Sequence, residues 1–481
     1  MIVIGGGAAG LTASGMSAVL GARTTLVEAA RLGGDCTWNG CIPSKALLHA
    51  AKVAQQMRTA DRLGLTPAGP PHDLARILQH VHTIQSQVYK DADAPPHMER
   101  LGVEVVEGTA HFLDPHTIEI SGPAGTFRLS ARRFIVATGS RPKVPAFEGS
   151  GSLPLFTNET IFDLPRLPNR LVVLGGGPIG IEMAQAFRYL GSQVTVIHRG
   201  TGILKSDDPE LTGMLLKNLQ SNGIDFLFGE QVQRLNQAEV HLESGRCIEA
   251  DAVLCALGRQ PNVRSLHLDA AGVAVNARGI ITDRRCRSSV RHIYASGDVA
   301  GRYLFTHMAE HMSRTAVKNA LLHLPANLDE KHVTWCTFTD PELAHVGCTE
   351  PELKSAGVKY SVFRLPISEV DRARTESAAE GLIKVLADGR GRILGASILA
   401  ARAGEMISGY ALAMRNGIRL SGMASTIHPY PTFTLGNRQA ADRYVTAQLT
   451  PRIVDWIRFL FRLRGTSQGI TKLHQKGSAP H

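Results

Sequence analysis

The sequence predicts an α/β fold in which two Rossmann-like dinucleotide-binding domains are joined to a smaller α+β domain at the C-terminal end. The first observation behind this prediction is a strand, a glycine-rich turn, a helix and a second strand within residues 1–28. The second is the return of that pattern in residues 171–198, and the third is a run of strands and then helices in residues 333–448. The repeat of a dinucleotide-binding unit indicates two bound dinucleotides in one chain.

Length and composition indicate a multidomain globular protein of a reducing compartment. The 481 residues suggest about three domains, and 43% hydrophobic with 20% charged residues is an ordinary globular composition. The seven cysteines are mostly scattered, which argues against a disulfide scaffold and favours a cytoplasmic location. Much of the net charge of +10 lies in the last thirty residues, so we predict no nucleic-acid partner. We find no signal segment and no apolar run that could span a bilayer.

The first glycine-rich turn has the features of a pyrophosphate site. The apolar strand at the start of the chain runs into Gly5, Gly7 and Gly10, and a helical pattern follows. Glycines at this spacing permit a tight turn, the close approach of a pyrophosphate and close packing of helix on strand. Glu28 ends the next strand, where an acid hydrogen-bonds a ribose hydroxyl.

The second glycine-rich turn differs from the first at the end of its second strand. The turn contains Gly175, Gly177 and Gly180. Where the first unit has an acid, the second reads Val-Ile-His-Arg, ending at Arg199, and Lys205 follows a few residues later. These two cations could pair with a 2′-phosphate, so we predict NADPH rather than NADH. The alternative is that both are solvated loop cations.

Two cysteines separated by four residues are the centre of the predicted chemistry. Cys36 and Cys41 lie in the stretch Gly33–Leu48, where Pro43 is followed by an apolar-periodic run typical of a helix. Proline is favoured just inside a helix start, so Cys41 is predicted at or beside the helix N-terminus, where the dipole favours a thiolate. Such a thiolate can attack a disulfide, bind a soft metal or donate charge to an electron acceptor. The alternative is a pair of unrelated buried thiols.

Seven motifs follow one another along roughly residues 1–448. They are GGGAAG at Gly5–Gly10, GGDCTWNGCIPSK at Gly33–Lys45, ATGSRP at Ala137–Pro142, GGGPIGIE at Gly175–Glu182, LGRQPN at Leu257–Asn262, YASGDVAG at Tyr294–Gly301 and TDPELAHVG at Thr339–Gly347. In this order they resemble the flavoprotein pyridine nucleotide–disulfide oxidoreductases, the family that contains dihydrolipoamide dehydrogenase, glutathione reductase and mercuric reductase.

The resemblance implies that the chain binds FAD and a nicotinamide dinucleotide. FAD would lie on the first glycine-rich turn with Glu28 on its adenosine ribose, and Asp298 would bind its ribityl–phosphate end. The helix that starts near Thr306 would point its N-terminus at the flavin pyrimidine, where it stabilises negative charge. The further cofactor-binding positions taken from these motifs are Thr138, Gly139 and Gly258.

The resemblance also implies catalytic roles. Cys36 matches the outer thiol that attacks the substrate, and Cys41 matches the inner, charge-transfer thiol beside the isoalloxazine. Lys45 and Glu182 match an ion pair near flavin N5, where nicotinamide delivers hydride; without the resemblance, a surface lysine and a helix-capping glutamate are simpler interpretations. We predict no ligand of a resident metal ion. The remaining cysteines are interpreted as structural: Cys247, Cys255, Cys286, Cys336 and Cys348.

One segment departs from the disulfide-reducing members of the family. In those members a partner subunit supplies an acid–base histidine and a glutamate from an H-P-T-x-x-E segment. Here Tyr430 stands at the histidine position and Leu435 at the glutamate position. A tyrosine titrates at about pH 10 and is a poor base for a thiol, and its presence here resembles mercuric reductases. Those enzymes also carry a terminal Cys–Cys pair, whereas the last cysteine here is Cys348; His428 could restore base function but is more simply a local cap.

The resemblance also divides the chain and implies a partner. The predicted domains are an FAD-binding domain (1–148 and 271–330), an NAD(P)-binding domain (149–270), a dimerisation domain (331–448) and a basic amphipathic tail (449–481). A homodimer is implied, because the Tyr430 segment must reach the other subunit's cysteines. Residues 450–465 have apolar residues at helical spacing and four arginines, so they could touch an anionic membrane surface; packing on the dimer is the simpler interpretation.

We therefore predict a homodimeric oxidoreductase that uses FAD and NADPH, has a redox-active Cys36–Cys41 disulfide and is most similar to mercuric reductase. The acceptor is predicted to be a soft metal ion such as Hg(II), or a thiol or disulfide compound. The alternative enzyme is a dihydrolipoamide dehydrogenase or general disulfide reductase, which Tyr430 and Leu435 disfavour. An alternative of another class is a redox-sensing flavoprotein that acts through a partner or a membrane surface.

Overall fold

The computed structural model describes residues 1–69, 73–149 and 153–465, which divide into two units. The first unit contains residues 1–201 and 223–329, and the second contains residues 202–222 and the described chain from residue 330 onward. The α/β class predicted from the sequence is confirmed. Residues 466–481 of the predicted tail lie outside the described residues.

The first part of the chain, up to residue 142, begins with a strand–helix–strand unit, continues with four helices and ends with six strands. The strands are β1 (Ile2–Ile4), β2 (Thr24–Glu28), β3 (Val103–Glu107), β4 (Thr109–Asp114), β5 (Thr117–Gly122), β6 (Gly125–Ser130), β7 (Phe134–Val136) and β8 (Ser140–Pro142). The helices are α1 (Ala8–Val19), α2 (Gly34–Trp38), α3 (Cys41–Arg58), α4 (Leu74–Val88) and α5 (Pro95–Arg100), with a π-helical turn at Tyr89–Asp93.

The middle of the chain repeats the strand–helix–strand unit and then continues with a run of short strands and a final helix. Its strands are β9 (Leu155–Phe156), β10 (Arg170–Leu174), β11 (Gln193–His198), β12 (Ile224–Phe228), β13 (Val232–Asn236), β14 (Glu239–Leu242), β15 (Cys247–Glu249), β16 (Ala252–Cys255), β17 (Arg259–Pro261), β18 (Val275–Asn276), β19 (Gly279–Ile280) and β20 (Ile293–Ala295). Its helices are α6 (Pro178–Leu190), α7 (Pro209–Ser221) and α8 (Thr306–Leu321).

The last part of the chain places its strands before most of its helices. The strands are β21 (Thr334–Thr337), β22 (Glu342–Gly347), β23 (Ser361–Pro366), β24 (Leu382–Ala387) and β25 (Ile393–Ala400). The helices are α9 (Glu350–Ser355), α10 (Asp371–Thr375), α11 (Ala403–Arg415), α12 (Leu420–Ser425), α13 (Leu435–Gln448) and α14 (Pro451–Leu460).

Two parallel five-stranded sheets carry the glycine-rich turns of the first unit. One sheet has the strand order β20–β7–β1–β2–β3 and the other has the order β12–β11–β10–β16–β9. The central strands β1, β7 and β16 are buried along their whole length, so they read as continuous apolar runs rather than alternating ones. The glycine-rich turns follow the carboxyl ends of β1 and β10, which is the edge where parallel sheets bind ligands.

The second unit is built on one antiparallel sheet with the order β21–β22–β25–β24–β23. Helices α11 and α13 pack against this sheet around a core that includes Ile383, Ile398 and Tyr410. Helix α14 ends at Leu460, so the helix is shorter than the run to residue 465 that the sequence predicted. Across the part of the chain that the structure describes, no helix combines the length and apolarity that crossing a bilayer requires.

Candidate active site

Cys36 and Cys41 lie on two successive short elements of the first unit. Cys36 is inside α2, a helix that the sequence did not predict, and Cys41 is the first residue of α3, as the proline signal predicted. Gly40 caps α3 without a side-chain hydrogen bond, so backbone N–H groups at this helix start remain available to a negative charge. Gln85 fixes the loop, since its Nε2 donates to the carbonyl oxygens of Thr37 and Trp38 at 3.2 and 2.6 Å.

The two thiols have opposite affinities for a proton. The pKa of Cys41 is lowered to about 6, mainly by the hydrogen bond from Cys36, although burial opposes the charge. The Thr306 hydroxyl and the Lys45 ammonium contribute to the same lowering. The same hydrogen bond, together with burial, raises the pKa of Cys36. At neutral pH Cys41 is therefore the thiolate, and Cys36 is the thiol that donates to it.

Thr306 brings a second helix N-terminus to the Cys41 sulfur. Its Oγ1 lies 3.2 Å from the Sγ of Cys41, and Thr306 is the first residue of α8. Helix α8 is held in place by Ser313, whose Oγ donates to the carbonyl oxygen of Ala9 at 2.7 Å. The sequence placed a helix start near Thr306, but it did not predict the contact with Cys41.

Lys45 and Glu182 form an ion pair between α3 and α6. The Lys45 Nζ donates to the Glu182 Oε2 at 2.9 Å, and the Glu182 side chain is only 6% exposed. Glu182 lies within α6 and not at its start, so it does not cap the helix. The pair also acts on the thiol, because Lys45 lowers the pKa of Cys41 and Glu182 raises it.

The first glycine-rich turn is closed too tightly for side chains. A Cβ at Gly10 would lie 1.7 Å from the carbonyl oxygen of Gly5. Gly7 caps α1 without a side-chain hydrogen bond, which leaves this helix start open to a phosphate. Glu28 lies at the carboxyl end of β2, and its Oε2 accepts a 2.5 Å hydrogen bond from the N–H of Gly6. The acid therefore lies beside the turn, where a dinucleotide ribose would reach it.

The second glycine-rich turn repeats this arrangement with a different side chain. A Cβ at Gly180 would lie 2.3 Å from the Gly175 carbonyl oxygen, whereas a Cβ at Gly177 would meet nothing within 4 Å. The N–H of Gly176 donates to Nδ1 of His198 at 3.2 Å, across the same separation of 22 residues that joins Gly6 to Glu28. His198 thus takes the place of the acid, a role that an alignment of the two repeats could have shown.

The residues after β11 carry the predicted nucleotide preference. Burial and the neighbouring Arg199 charge lower the pKa of His198, so the imidazole is neutral at pH 7. Arg199 is exposed at the end of the strand. Lys205 is also exposed but belongs to the second unit, so its part in nucleotide binding stays a prediction.

Arg259 holds a buried polar network that the sequence did not predict. Its guanidinium, whose side chain is 10% exposed, forms ion pairs with Asp35 at 3.1 Å and with Asp298 at 3.6 Å. Its Nε also donates to the Ser140 Oγ at 2.7 Å, and that hydroxyl donates to the Asp298 Oδ2 at 2.6 Å. Burial raises the pKa of Asp298 although both partners oppose the rise. The network therefore links the Asp298 site to the residue that precedes Cys36.

The other motif-derived positions lie where β8 pairs with β17. Thr138 and Asn262 exchange two hydrogen bonds, from the Thr138 Oγ1 at 2.8 Å and from the Asn262 Nδ2 at 2.9 Å. Gly139 and Gly258 have positive φ angles of 66° and 106°. These residues lie where the chain segments that contain β8 and β17 meet. Their contact with a cofactor stays a prediction.

Tyr430 and Leu435 lie in the second unit and have different surroundings. Tyr430 is 72% exposed, and its hydroxyl donates to the Asp371 Oδ2 at 3.4 Å. Leu435 is 7% exposed at the start of α13, so it belongs to the core. His428 is half-buried, with Nδ1 3.0 Å from the carbonyl oxygen of Thr426.

Comparisons with known proteins point to one family. The family model of the pyridine nucleotide-disulphide oxidoreductases matches residues 1–313, and the family model of their dimerisation domain matches residues 333–440. Mercuric reductase from Bacillus cereus is 32% identical over 448 residues, covering 91% of this chain and 70% of that protein. Dihydrolipoyl dehydrogenase 2 from Haloarcula marismortui is 35% identical over 459 residues, covering 92% and 95%.

Two solved structures of one reductase have the same fold as this chain. The HOCl-induced flavoprotein disulfide reductase RclA from Escherichia coli superposes with a TM-score of 0.82 at 29% identity, over 92% of this chain and 99% of that chain. A Cu(II) complex of the same reductase has a TM-score of 0.82 at 28% identity, over 91% and 98% of the two chains.

Proposed function

The chain belongs to the pyridine nucleotide-disulphide oxidoreductase family, whose members use FAD and NAD(P)H, and from this premise we propose that it is an NADPH-dependent reductase of soft metal ions. Electrons would pass from NADPH through FAD and the Cys36–Cys41 pair to the metal. The match to the dimerisation domain supports a homodimer.

The residues around the first turn fit FAD. The uncapped start of α1 suits a pyrophosphate, Glu28 suits a ribose hydroxyl, and the partly buried Asp298 suits the ribityl end. When bound there, FAD would supply the chemistry of accepting a hydride from a nicotinamide and of two-electron transfer to the cysteine pair. The Lys45–Glu182 pair would fix the position of the nicotinamide next to α3 and α6.

The second turn supports NADPH rather than NADH. The residue at the acid position is the neutral His198, which offers no carboxylate to bind a 2′-hydroxyl or to repel a 2′-phosphate. Arg199 follows it on the surface and can pair with the phosphate in the bidentate manner that guanidinium groups favour. Lys205 would add a second cation.

The thiol pair is suited to a soft cation. The Cys41 thiolate binds the metal directly, and the Cys36 thiol releases its proton when its sulfur becomes the second ligand. One NADPH then reduces one Hg(II) to Hg(0), or two Cu(II) to Cu(I), and one proton is released in either reaction. Similarity to mercuric reductase and to a reductase solved as a Cu(II) complex supports these two ions.

Tyr430 is the observation that carries the choice of acceptor. Thiol–disulfide chemistry needs a group that takes and returns a proton at neutral pH. A histidine does both there, whereas a tyrosine, with an ordinary pKa of about 10, is a poor base for the thiol. A reduced metal ion leaves without a proton. In a homodimer the exposed Tyr430 of one subunit would face the cysteines of the other, where its hydroxyl serves as a hydrogen-bond donor or a metal ligand.

The test is anaerobic turnover of the purified flavoprotein with NADPH in weakly buffered solution. We expect Hg(II) or Cu(II) to be reduced with release of one proton per NADPH, and Cys36→Ser and Cys41→Ser to abolish this turnover. Reduction of a disulfide instead consumes one proton. Faster turnover with lipoamide than with either metal, and uptake of protons, would show a dihydrolipoyl dehydrogenase or general disulfide reductase.

The surface of α14 supports a role in the dimer. Its apolar side chains are largely exposed in the single chain: Ile453, Trp456, Phe459 and Leu460. The helix begins at Pro451, shortly after the match to the dimerisation domain ends at residue 440, so we propose that a second copy of the chain covers this face. Binding of the same face and its arginines to an anionic membrane is the alternative, and it would suit a redox sensor.

A further inference from the structure

Three metal-ligating side chains meet on the antiparallel sheet β13–β14–β15 of the first unit. His241 on β14 is paired in register with Cys247 on β15. Glu239 precedes His241 by two residues on the same strand, so both side chains lie on one face of the sheet. Cys247 is exposed, unlike the buried Cys255 and Cys286, which fit the structural role predicted from the sequence.

The imidazole of His241 lies between the other two groups. Its Nδ1 is 3.0 Å from the Cys247 Sγ, and its Nε2 is 3.2 Å from the Glu239 Oε2. The side-chain amide of Asn236 also lies 2.9 Å from Nε2. One ligand atom from each of the glutamate, the histidine and the cysteine lies within 4.8 Å of the others. No other such cluster occurs among the residues that the structure describes.

This order of groups prepares one ring nitrogen for a metal. A carboxylate beside Nε2 favours the tautomer that carries its proton there, and the Asn236 amide, whose Nδ2 lies beside the same nitrogen, can turn its oxygen to accept from that proton. The lone pair of Nδ1 is then directed at the Cys247 sulfur. A carboxylate that holds the second nitrogen of a metal-bound histidine is the usual way in which such ligands are oriented. The sheet register fixes the spacing, because His241 and Cys247 are cross-strand neighbours.

We propose that the Cys247 Sγ and the His241 Nδ1 chelate Zn²⁺ or a similar borderline-soft divalent ion, with Glu239 as the positioning residue. Zn–S and Zn–N bonds at a tetrahedral angle require about 3.6 Å between sulfur and nitrogen. The present 3.0 Å opens to that value by a small rotation of the exposed Cys247 side chain. Water fills the remaining positions, and binding releases the thiol proton.

This site is independent of the proposed reductase activity. It uses none of the groups around Cys36 and Cys41, so an enzyme that reduces disulfides alone could still contain it. The experiment therefore uses the FAD-loaded Cys36→Ser/Cys41→Ser variant, which removes competition from the thiol pair. Co²⁺ alone is the probe, because a Co–thiolate bond has a charge-transfer absorbance that a carboxylate or imidazole complex lacks.

We expect a saturable Co²⁺–thiolate band with one ion per chain, displaced by Zn²⁺. Cys247→Ser should abolish the band, and His241→Gln should weaken the affinity at least about tenfold. Glu239→Gln should weaken it by about tenfold, the range found when a residue that orients a metal ligand is changed. Cys348→Ser, at the other exposed cysteine, is the matched control and should leave the band unchanged.

A second measurement keeps the test independent of Co²⁺ chemistry. Zn²⁺ should protect Cys247 from iodoacetamide in the same background, as read by mass spectrometry of the peptide, and should not protect Cys348. Absence of the band together with equal alkylation in the presence and absence of Zn²⁺ overturns the proposal. A band that persists in Cys247→Ser, or one unaffected by His241→Gln, also overturns it.

Discussion

The Cys41 Sγ and the Thr306 Oγ1 lie 3.2 Å apart, which joins the N-termini of α3 and α8 at one sulfur. Both helix ends present the positive side of their dipoles to this thiol. The hydrogen bond from Cys36 and then the one from the Thr306 hydroxyl lower the pKa of Cys41 to about 6, against the effect of burial. The thiolate is thus prepared by the fold before any substrate arrives.

Replacing Thr306 with valine removes the hydroxyl and keeps the shape of the side chain. The pKa of Cys41 should rise by roughly one to two units, since a hydrogen bond to a charged group contributes about 1.5–3 kcal/mol. The thiolate absorbance of the dithiol protein, followed against pH, measures the shift. Thr315→Val on the same helix is the control, because the Thr315 hydroxyl donates to the backbone of its own helix. An unchanged titration in Thr306→Val would refute the role of the hydroxyl.

The Lys45–Glu182 pair should shift the same titration in two directions. Lys45→Met removes a cation that lowers the pKa of Cys41, so that pKa should rise by up to about one unit. Glu182→Gln removes an anion that raises it, so the pKa should fall. The thiolate absorbance of each variant measures the change. Shifts of the same sign in both variants would mean that altered packing, and not charge, moves the pKa.

Arg199 should determine the preference for NADPH. Arg199→Ala should lower the ratio of kcat/KM for NADPH to that for NADH by roughly 10- to 100-fold, the equivalent of one charge-assisted contact. Arg246→Ala is a matched control, since Arg246 is also an exposed arginine. Steady-state kinetics with both nucleotides measure the ratio. The same ratio in wild type and Arg199→Ala would leave Arg199 as a solvated cation.

Lys384 is a buried cation in the second unit, with a side chain only 2% exposed. Its Nζ lies 2.9 Å from Asp208, 2.9 Å from Glu210 and 2.7 Å from Glu350. Lys384→Met leaves these carboxylates without their cation and should lower the free energy of unfolding by about 3–5 kcal/mol. Urea unfolding measures the loss, and Lys354→Met, at an exposed lysine, should cost little.

The same cluster predicts a dependence of stability on pH. Burial opposes the charge of Glu350, but the hydrogen bond and the charge of Lys384, with smaller contributions from Tyr360 and Arg364, together outweigh burial and lower the pKa of Glu350 below its usual 4.5. A carboxylate with a lowered pKa stabilises the fold above its unfolded pKa and loses this contribution as the pH falls through the folded pKa. Unfolding free energies below pH 4.5 should therefore fall more steeply in the wild type than in Lys384→Met. Parallel curves would contradict this assignment.

The C-terminal helix should contribute to the dimer. A chain that ends at Gln448 lacks α14, and its dimer should dissociate at concentrations at least about tenfold higher than the full chain, because an apolar face is no longer covered. Sedimentation velocity over a dilution series measures this. Co-sedimentation with anionic vesicles is the control and should be equal for both chains. An unchanged dimer with vesicle binding lost on truncation would instead favour the membrane alternative.

The sequence determined those features that depend on neighbouring residues. The two strand–glycine-turn–helix units and the helix start at Cys41 follow from periodicity, glycine spacing and proline position, whereas the antiparallel arrangement of the C-terminal sheet was not predicted. These signals are local, so they are visible in a short window of the chain. The identity of the residues that surround the cysteine pair was accessible only through family resemblance.

The tertiary structure decided the contacts that tune the chemistry. Thr306 is 265 residues from Cys41, and Glu182 is 137 residues from Lys45, so only the packing of α8 and α6 brings them together. Arg259 and His241 acquire their partners in the same way, through loop crossing and strand register. A pKa or a metal affinity depends on distances of a few ångströms between such groups, and sequence spacing does not contain those distances. The sequence therefore supplies the chemical groups, while the tertiary structure decides which of them lie close enough to share a proton or a ligand.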